Sequence, residues 1–178
     1  MVTINYGRFD RLDTHKAFIG EGVKPLAAMF YPADMTKEKL EAWVKEHPAF
    51  KEAIESNYTV VRYEAGPNPI VTIPYSSFYR EELGVAAMNL REAAKYADSP
   101  SLAAFLNARA RAFETNDYRE SDELWVKITG SKFNVVIGPY ETYEDRLMEY
   151  KAAFEAFIMI DDPKMSAELS LVKAHLDG

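Results

Sequence analysis

The sequence predicts an α+β fold, with a mixed or antiparallel β-core of at least four strands flanked by several helices. Three observations carry that prediction. Two runs rich in β-branched and aromatic residues flank a Gly-Pro-Asn-Pro turn. Helical spacing with capping residues fills the middle of the chain. Strand-like alternation then returns before a final helical stretch. At 178 residues the chain is one domain, or one large piece of a bigger one. Its 48% hydrophobic and 28% charged residues match an average globular composition.

Residues 1–35 read as irregular and rich in Gly and aromatics. Tyr31-Pro32-Ala33-Asp34 forms a turn leading to Thr36, whose hydroxyl can accept from a free N–H of a first helical turn. Lys39 stands where a capping box would want Glu or Gln, so that motif is incomplete. Leu40, Trp43 and Val44 follow helical spacing, His47-Pro48 ends the helix, and a short second one runs through Phe50 and Ile54. Tyr58 to Tyr63 and Ile70 to Ile73 form a hairpin about Gly66-Pro67-Asn68-Pro69. Three helices follow. The first covers about 77–97. The second has Ser99 as N-cap, Pro100 at its first position and a stripe of Leu102, Phe105, Leu106 and Phe113. The third runs from about Tyr118 to Trp125. Phe133, Val135 and Ile137 then alternate as a strand, and Ala152 to Ile160 places Phe154, Ala156, Ile158 and Ile160 on one face. Asp162-Pro163 opens a last helix with Met165, Leu169, Val172 and Leu176 as its stripe. The whole of 1–178 is read as a single, partial domain.

The net charge of -7 argues against a nucleic-acid or anionic-membrane partner, since both need clustered Lys and Arg. With no cysteine, disulfides, thiolate metal sites and a Cys nucleophile are excluded together. The N-terminal residues do not read as a signal peptide, and no stretch approaches the roughly 20 apolar residues of a membrane helix. The expected location is cytoplasmic. The three histidines, His15, His47 and His175, include no i, i+4 pair for zinc on a helix. No nucleophile elbow and no Walker or Rossmann glycine pattern occurs. Carboxylates are plentiful, but sequence alone cannot pair them. On these grounds the chain is not expected to be a complete enzyme.

The informative region is Gly138-Pro139-Tyr140-Glu141-Thr142-Tyr143-Glu144-Asp145. If the strand through Ile137 continues, Glu141 and Tyr143 share one face. The carboxylate can pair with an ammonium group, and the phenol can donate to a carbonyl oxygen on which charge develops. Pro139 marks an edge or bulge, where an extended peptide can add as a strand. The alternative is an ordinary solvated strand end. Trp43 and Trp125 read as core or lid residues. Glu114 to Glu123 reads as a solvated acidic face, His47 as a surface helix end, and His175 as suited to a helix C-terminus.

The run Ser121-Asp122 through Trp125, the motif at 138–145, and Tyr150-Lys151-Ala152-Ala153-Phe154-Glu155-Ala156-Phe157 together resemble the dipeptidyl peptidase III family. The similarity is closest to its bacterial branch and to plant proteins fused to a Nudix domain. Ile4 to Asp13, Phe30 to Thr36 and Ile73-Pro74-Tyr75-Ser76 extend it over most of the chain. The resemblance implies a two-lobed zinc exopeptidase that removes dipeptides from the free amino end of short peptides. One lobe would carry zinc on a His-Glu-x-x-x-His helix, and the other a β-core against which the peptide lies. Glu141 would bind the peptide's terminal ammonium. Tyr143 would hydrogen-bond the scissile region and steady the tetrahedral intermediate, a catalytic contact available only in the complete enzyme. The zinc motif is absent from this sequence, so the chain is expected to hold no cofactor itself, zinc belonging to the complete enzyme. It is read as a substrate-side fragment, with short peptides and the zinc-bearing lobe as partners and exposed apolar surface able to drive dimerisation. The alternative is a stand-alone, non-catalytic peptide-binding module.

Overall fold

A computed structural model describes residues 7–10, 12–66 and 69–176. The chain is α+β and groups into two compact units, Met1–Pro74 with Tyr140–Ala153, and Tyr75–Pro139 with Phe154–Gly178.

In the first unit, β1 (Phe9–Asp10) pairs antiparallel with β2 (Lys16–Ala17) inside the stretch expected to be irregular. Helix α1 (Lys37–Glu46) starts as the sequence predicts: Thr36 has extended backbone and its hydroxyl accepts from the Lys39 N–H at 3.2 Å. It ends at His47, whose ring stacks on Trp43 at 4.4 Å and places Nδ1 3.0 Å from the Trp43 carbonyl oxygen. Pro48 then opens a 3₁₀ turn that runs into α2 (Lys51–Glu55). The predicted hairpin is β3 (Thr59–Tyr63) against β4 (Ile70–Pro74), antiparallel, with Thr59 opposite Pro74 and Tyr63 opposite Ile70. Pro67 and Asn68 of its turn lie outside the described residues. Val60 and Val61 are both buried, so β3 is covered on both faces, and the Val61 N–H donates to the Phe30 carbonyl at 2.8 Å. Leu40, Ile54 and Ile70 complete the apolar interior of this unit with Phe30 and Tyr31.

The second unit is built on helices. The helix expected over 77–97 is two, α3 (Tyr75–Phe78) and α4 (Arg80–Ala94). They meet at Tyr79, whose φ of -104° and ψ of 31° leave the helical region. Its ring packs against Tyr75, Phe78 and Phe154 instead. Helix α5 (Pro100–Thr115) is the core of this unit. Ser99 accepts from the Leu102 N–H at 3.1 Å, and the whole predicted stripe is buried. Asn116 closes α5 in the left-handed region, at φ 65°. Phe154 joins that core, with its ring 5.4 Å from Tyr75 and 5.8 Å from Phe113. Helix α6 (Arg119–Trp125) follows, and Arg109, fully buried on α5, reaches Asp122 at 2.5 Å.

Strands β5 (Phe133–Glu141) and β6 (Ala153–Ile160) pair as a third two-stranded antiparallel sheet, and α7 (Pro163–Leu176) ends the described chain. Asp162 caps α7 through its carboxylate, which accepts from the Lys164 and Met165 N–H groups. The described apolar positions of β6 and α7 take the expected structure, but beyond Phe154 they stay largely uncovered. Ile158, Ile160, Met165, Leu169 and Val172 are all more than half exposed. Periodicity reports which side is apolar, and not whether anything covers it. No helix among the described residues is long and apolar enough to cross a membrane.

Candidate functional site

Strand β5 ends at Glu141, so Glu141 occupies its last position and Tyr143 lies in the turn beyond it. The alternation that would set both side chains on one strand face therefore reaches only the first. Both residues belong to the first unit, and both are exposed, Tyr143 by half. The two side chains, two residues apart in sequence, both reach solvent.

The segment that carries Tyr143 is held by the next acidic residues. Between Thr142 and Ala152 the chain has no regular structure, no Gly and no Pro. Its backbone donors must find partners elsewhere. Asp145, fully buried, accepts from four of them through its carboxylate. Its Oδ1 accepts from the N–H groups of Leu147 and Met148, both at 3.1 Å. Its Oδ2 accepts from the N–H groups of Tyr150 and Lys151, both at 3.0 Å, and from the Tyr31 hydroxyl at 2.8 Å. The Asp145 N–H closes the turn on the Thr142 carbonyl at 2.9 Å. Glu149 takes a φ of 60° and donates its N–H to the Asp145 carbonyl at 3.0 Å.

Three further links tie the segment to the rest of its unit. The Arg146 N–H donates to the Leu26 carbonyl at 3.0 Å, and the Ala152 N–H to that of Asn57 at 2.9 Å. Glu144, itself buried, pairs with Lys24. The Lys151 ammonium, also fully buried, donates to the Ile54 carbonyl at 2.5 Å, the Ser56 carbonyl at 2.8 Å and the Thr59 hydroxyl at 2.8 Å. All three of its donors are thus engaged. Burial pulls the Lys151 pKa down to about 8, against the opposing charge of Asp145. Burial raises that of neighbouring Tyr150, with Glu55, Glu41 and Asp145 adding to the rise.

Sequence reasoning singled out Glu141 and Tyr143 and gave Asp145 and Lys151 no role. A sequence signal existed for half of the Asp145 network. An Asp whose carboxylate reaches the N–H groups two and three residues on is an Asx-turn former. The partners of Lys151 lie 92 to 97 residues away, and nothing local announces them.

The acidic face at Glu114 to Glu123 is largely solvated, with Glu114, Glu120 and Glu123 paired to Arg91, Arg111 and Arg119. Trp125 is 36% exposed and lines an open groove of about 660 Å³ in the second unit, together with Phe133, Asn134 and Met159. Its Nε1 donates to the Val135 carbonyl at 2.9 Å. Among the described residues, no group of three or more His, Cys, Asp or Glu side chains converges to hold a metal ion.

Comparison with known proteins supplies the wider setting. Residues 15–175 match the model of peptidase family M49. Dipeptidyl peptidase III from Caldithrix abyssi is 50% identical, with a TM-score of 0.87 over 99% of this chain and 33% of that one. Dipeptidyl-peptidase III from Corallococcus sp. strain EGB is 44% identical, with a TM-score of 0.81 over 96% of this chain and 32% of that one. Nudix hydrolase 3 of Arabidopsis thaliana is 38% identical over an alignment of 168 residues that covers 83% of this chain and 22% of that protein. The chain thus spans about a third of the solved relatives and less of the curated one.

Proposed function

Because the chain belongs to peptidase family M49, we propose that it is the substrate-side segment of a zinc dipeptidyl peptidase, the part that cradles a peptide's free amino end. The observation that carries this reading is the likeness to dipeptidyl peptidase III over 99% of this chain and 33% of that one. The segment meets the substrate, and the metal chemistry of the family would be supplied from elsewhere.

In this reading Glu141 pairs with the terminal ammonium and Tyr143 donates to the peptide near the scissile bond. The phenol would matter most once negative charge develops on the carbonyl oxygen, since a donor aimed at an oxyanion gains strength as the charge grows. Alone, the cradle binds weakly. A solvent-exposed ion pair such as Glu141 with an ammonium contributes about 0–1 kcal/mol. Backbone pairing along β5 would add some binding free energy, but ordering the peptide costs several kcal/mol. Dissociation constants near 1 mM, about -4 kcal/mol, are expected for short peptides.

Two measurements test the proposal together. Metal analysis of the purified chain should find far less than one zinc per molecule, and dipeptidyl-arylamides should remain uncut. Stoichiometric zinc with hydrolysis would overturn the assignment of a non-metal segment. Calorimetry with tetra-alanine should show weak binding that Glu141→Ala abolishes, and binding that survives this substitution would remove Glu141 from the role.

A further inference from the structure

We propose that Asp145 is a positioning residue: its buried carboxylate sets the conformation of residues 142–151, and through it holds Tyr143 where a peptide paired with Glu141 can engage it. The second half of this statement rests on the peptide-cradle reading above; the first half does not.

The geometry leaves little choice of residue for the task. Five donors converge on one side chain, two on Oδ1 and three on Oδ2. Four of them are backbone N–H groups of the segment itself. A carboxylate has roughly four lone-pair sites and donates nothing, so it can serve them all, one oxygen being shared three ways. Asparagine has the same shape but turns one acceptor into a donor. Whichever way its amide faces, at least two N–H groups meet an NH₂ instead of an oxygen. Each stranded buried donor costs about 1–3 kcal/mol. The segment, which has no helix or strand of its own, would then give up the conformation that ends in Tyr143.

The anchoring is also directional. The Tyr31 hydroxyl fixes Asp145 to the body of the first unit, so the carboxylate is a fixed centre about which the segment wraps. The turn from Thr142 to Asp145 spans Tyr143, closed by the Asp145 N–H on the Thr142 carbonyl. Moving Asp145 therefore moves the backbone on both sides of the phenol. Lys151 holds the far end of the segment against α2 and β3, six residues from Asp145 and eight from Tyr143, and acts on stability more than on Tyr143. Glu144 points to Lys24 and closes none of the turn bonds described above.

The test labels the chain with 3-fluorotyrosine and reads the ¹⁹F resonance of Tyr143, assigned by its loss in Tyr143→Phe. In Asp145→Asn the Tyr143 resonance should move to the free-chain position, while those of Tyr75, Tyr79 and Tyr118 in the second unit keep their shifts. The affinity for tetra-alanine should fall about tenfold in the same variant. Tyr31→Phe removes a single donor and should move Tyr143 in the same direction by less, so it decides the matter if Asp145→Asn does not fold. A Tyr143 resonance unchanged in every folded variant overturns the proposal. If wild type binds no peptide but Tyr143 still moves, Asp145 keeps its positioning role and the cradle reading fails.

Discussion

Lys151 shows how a buried ammonium can be held by neutral oxygen acceptors. Two carbonyl oxygens and a hydroxyl replace its water, and desolvation still lowers its pKa to about 8. The consequence has a definite sign. Between pH 8 and the ordinary lysine value of 10.5, the unfolded chain holds a proton that the folded chain has released. Stability therefore rises with pH across that window. Tyr150 titrates with the opposite sign, because its pKa is raised above 10 in the fold, so the clean interval is about pH 8 to 10. Urea midpoints of wild type, referenced to Lys151→Met, should climb over this interval. A difference that stays flat or falls would remove the burial argument. The substitution itself should destabilise at pH 7, by about 1–3 kcal/mol for each acceptor left dry. None of this was legible in the sequence, where Lys151 looks like any surface lysine before a strand. Its environment comes from residues 54–59, brought close only by the fold.

At the scale of elements, the parts that depend on neighbours in sequence were legible. Thr36 and Ser99 announce α1 and α5 because a cap satisfies donors within three residues of itself. The β3–β4 hairpin follows from its composition and its turn. The break at Tyr79 was not legible, since it follows from ring packing against Tyr75 and Phe154. Of the two candidate site residues, the placement of Glu141 on the strand was legible, while the turn that carries Tyr143 follows from the Asp145 network. The two caps differ in burial, and this gives a prediction. Ser99 is 6% exposed, whereas Thr36 is open to water. Ser99→Ala should cost about 1–2 kcal/mol and Thr36→Ala about 0.5 kcal/mol by chemical denaturation. Equal costs would argue that burial of the cap does not matter here.

Across the whole molecule, the apolar residues of β6 and α7 are the feature that sequence patterning and structure read differently. Ile158, Ile160 and Leu169 are 74%, 75% and 68% exposed, which is unusual for a helix and a strand with such regular apolar spacing. Self-association at rising concentration is the expected behaviour. Sedimentation velocity should show it, and Leu169→Lys should weaken it with a change in stability below about 0.5 kcal/mol. A monomer at all concentrations would contradict the expectation. The same logic of scale applies to function. Family membership covers 15–175, yet the relatives of known structure are about three times as long, so the proposed role is that of a segment and not of a whole enzyme.

In the proposed role, this segment recognises the free amino end of a peptide through Glu141. Calorimetric titration of the wild-type chain with tetra-alanine and with its N-acetylated form tests it most directly. Weak binding of the free amine, near 1 mM, and at least a tenfold loss on acetylation are expected, because the ammonium that Glu141 would pair with is gone. Equal affinity for the two peptides would contradict it.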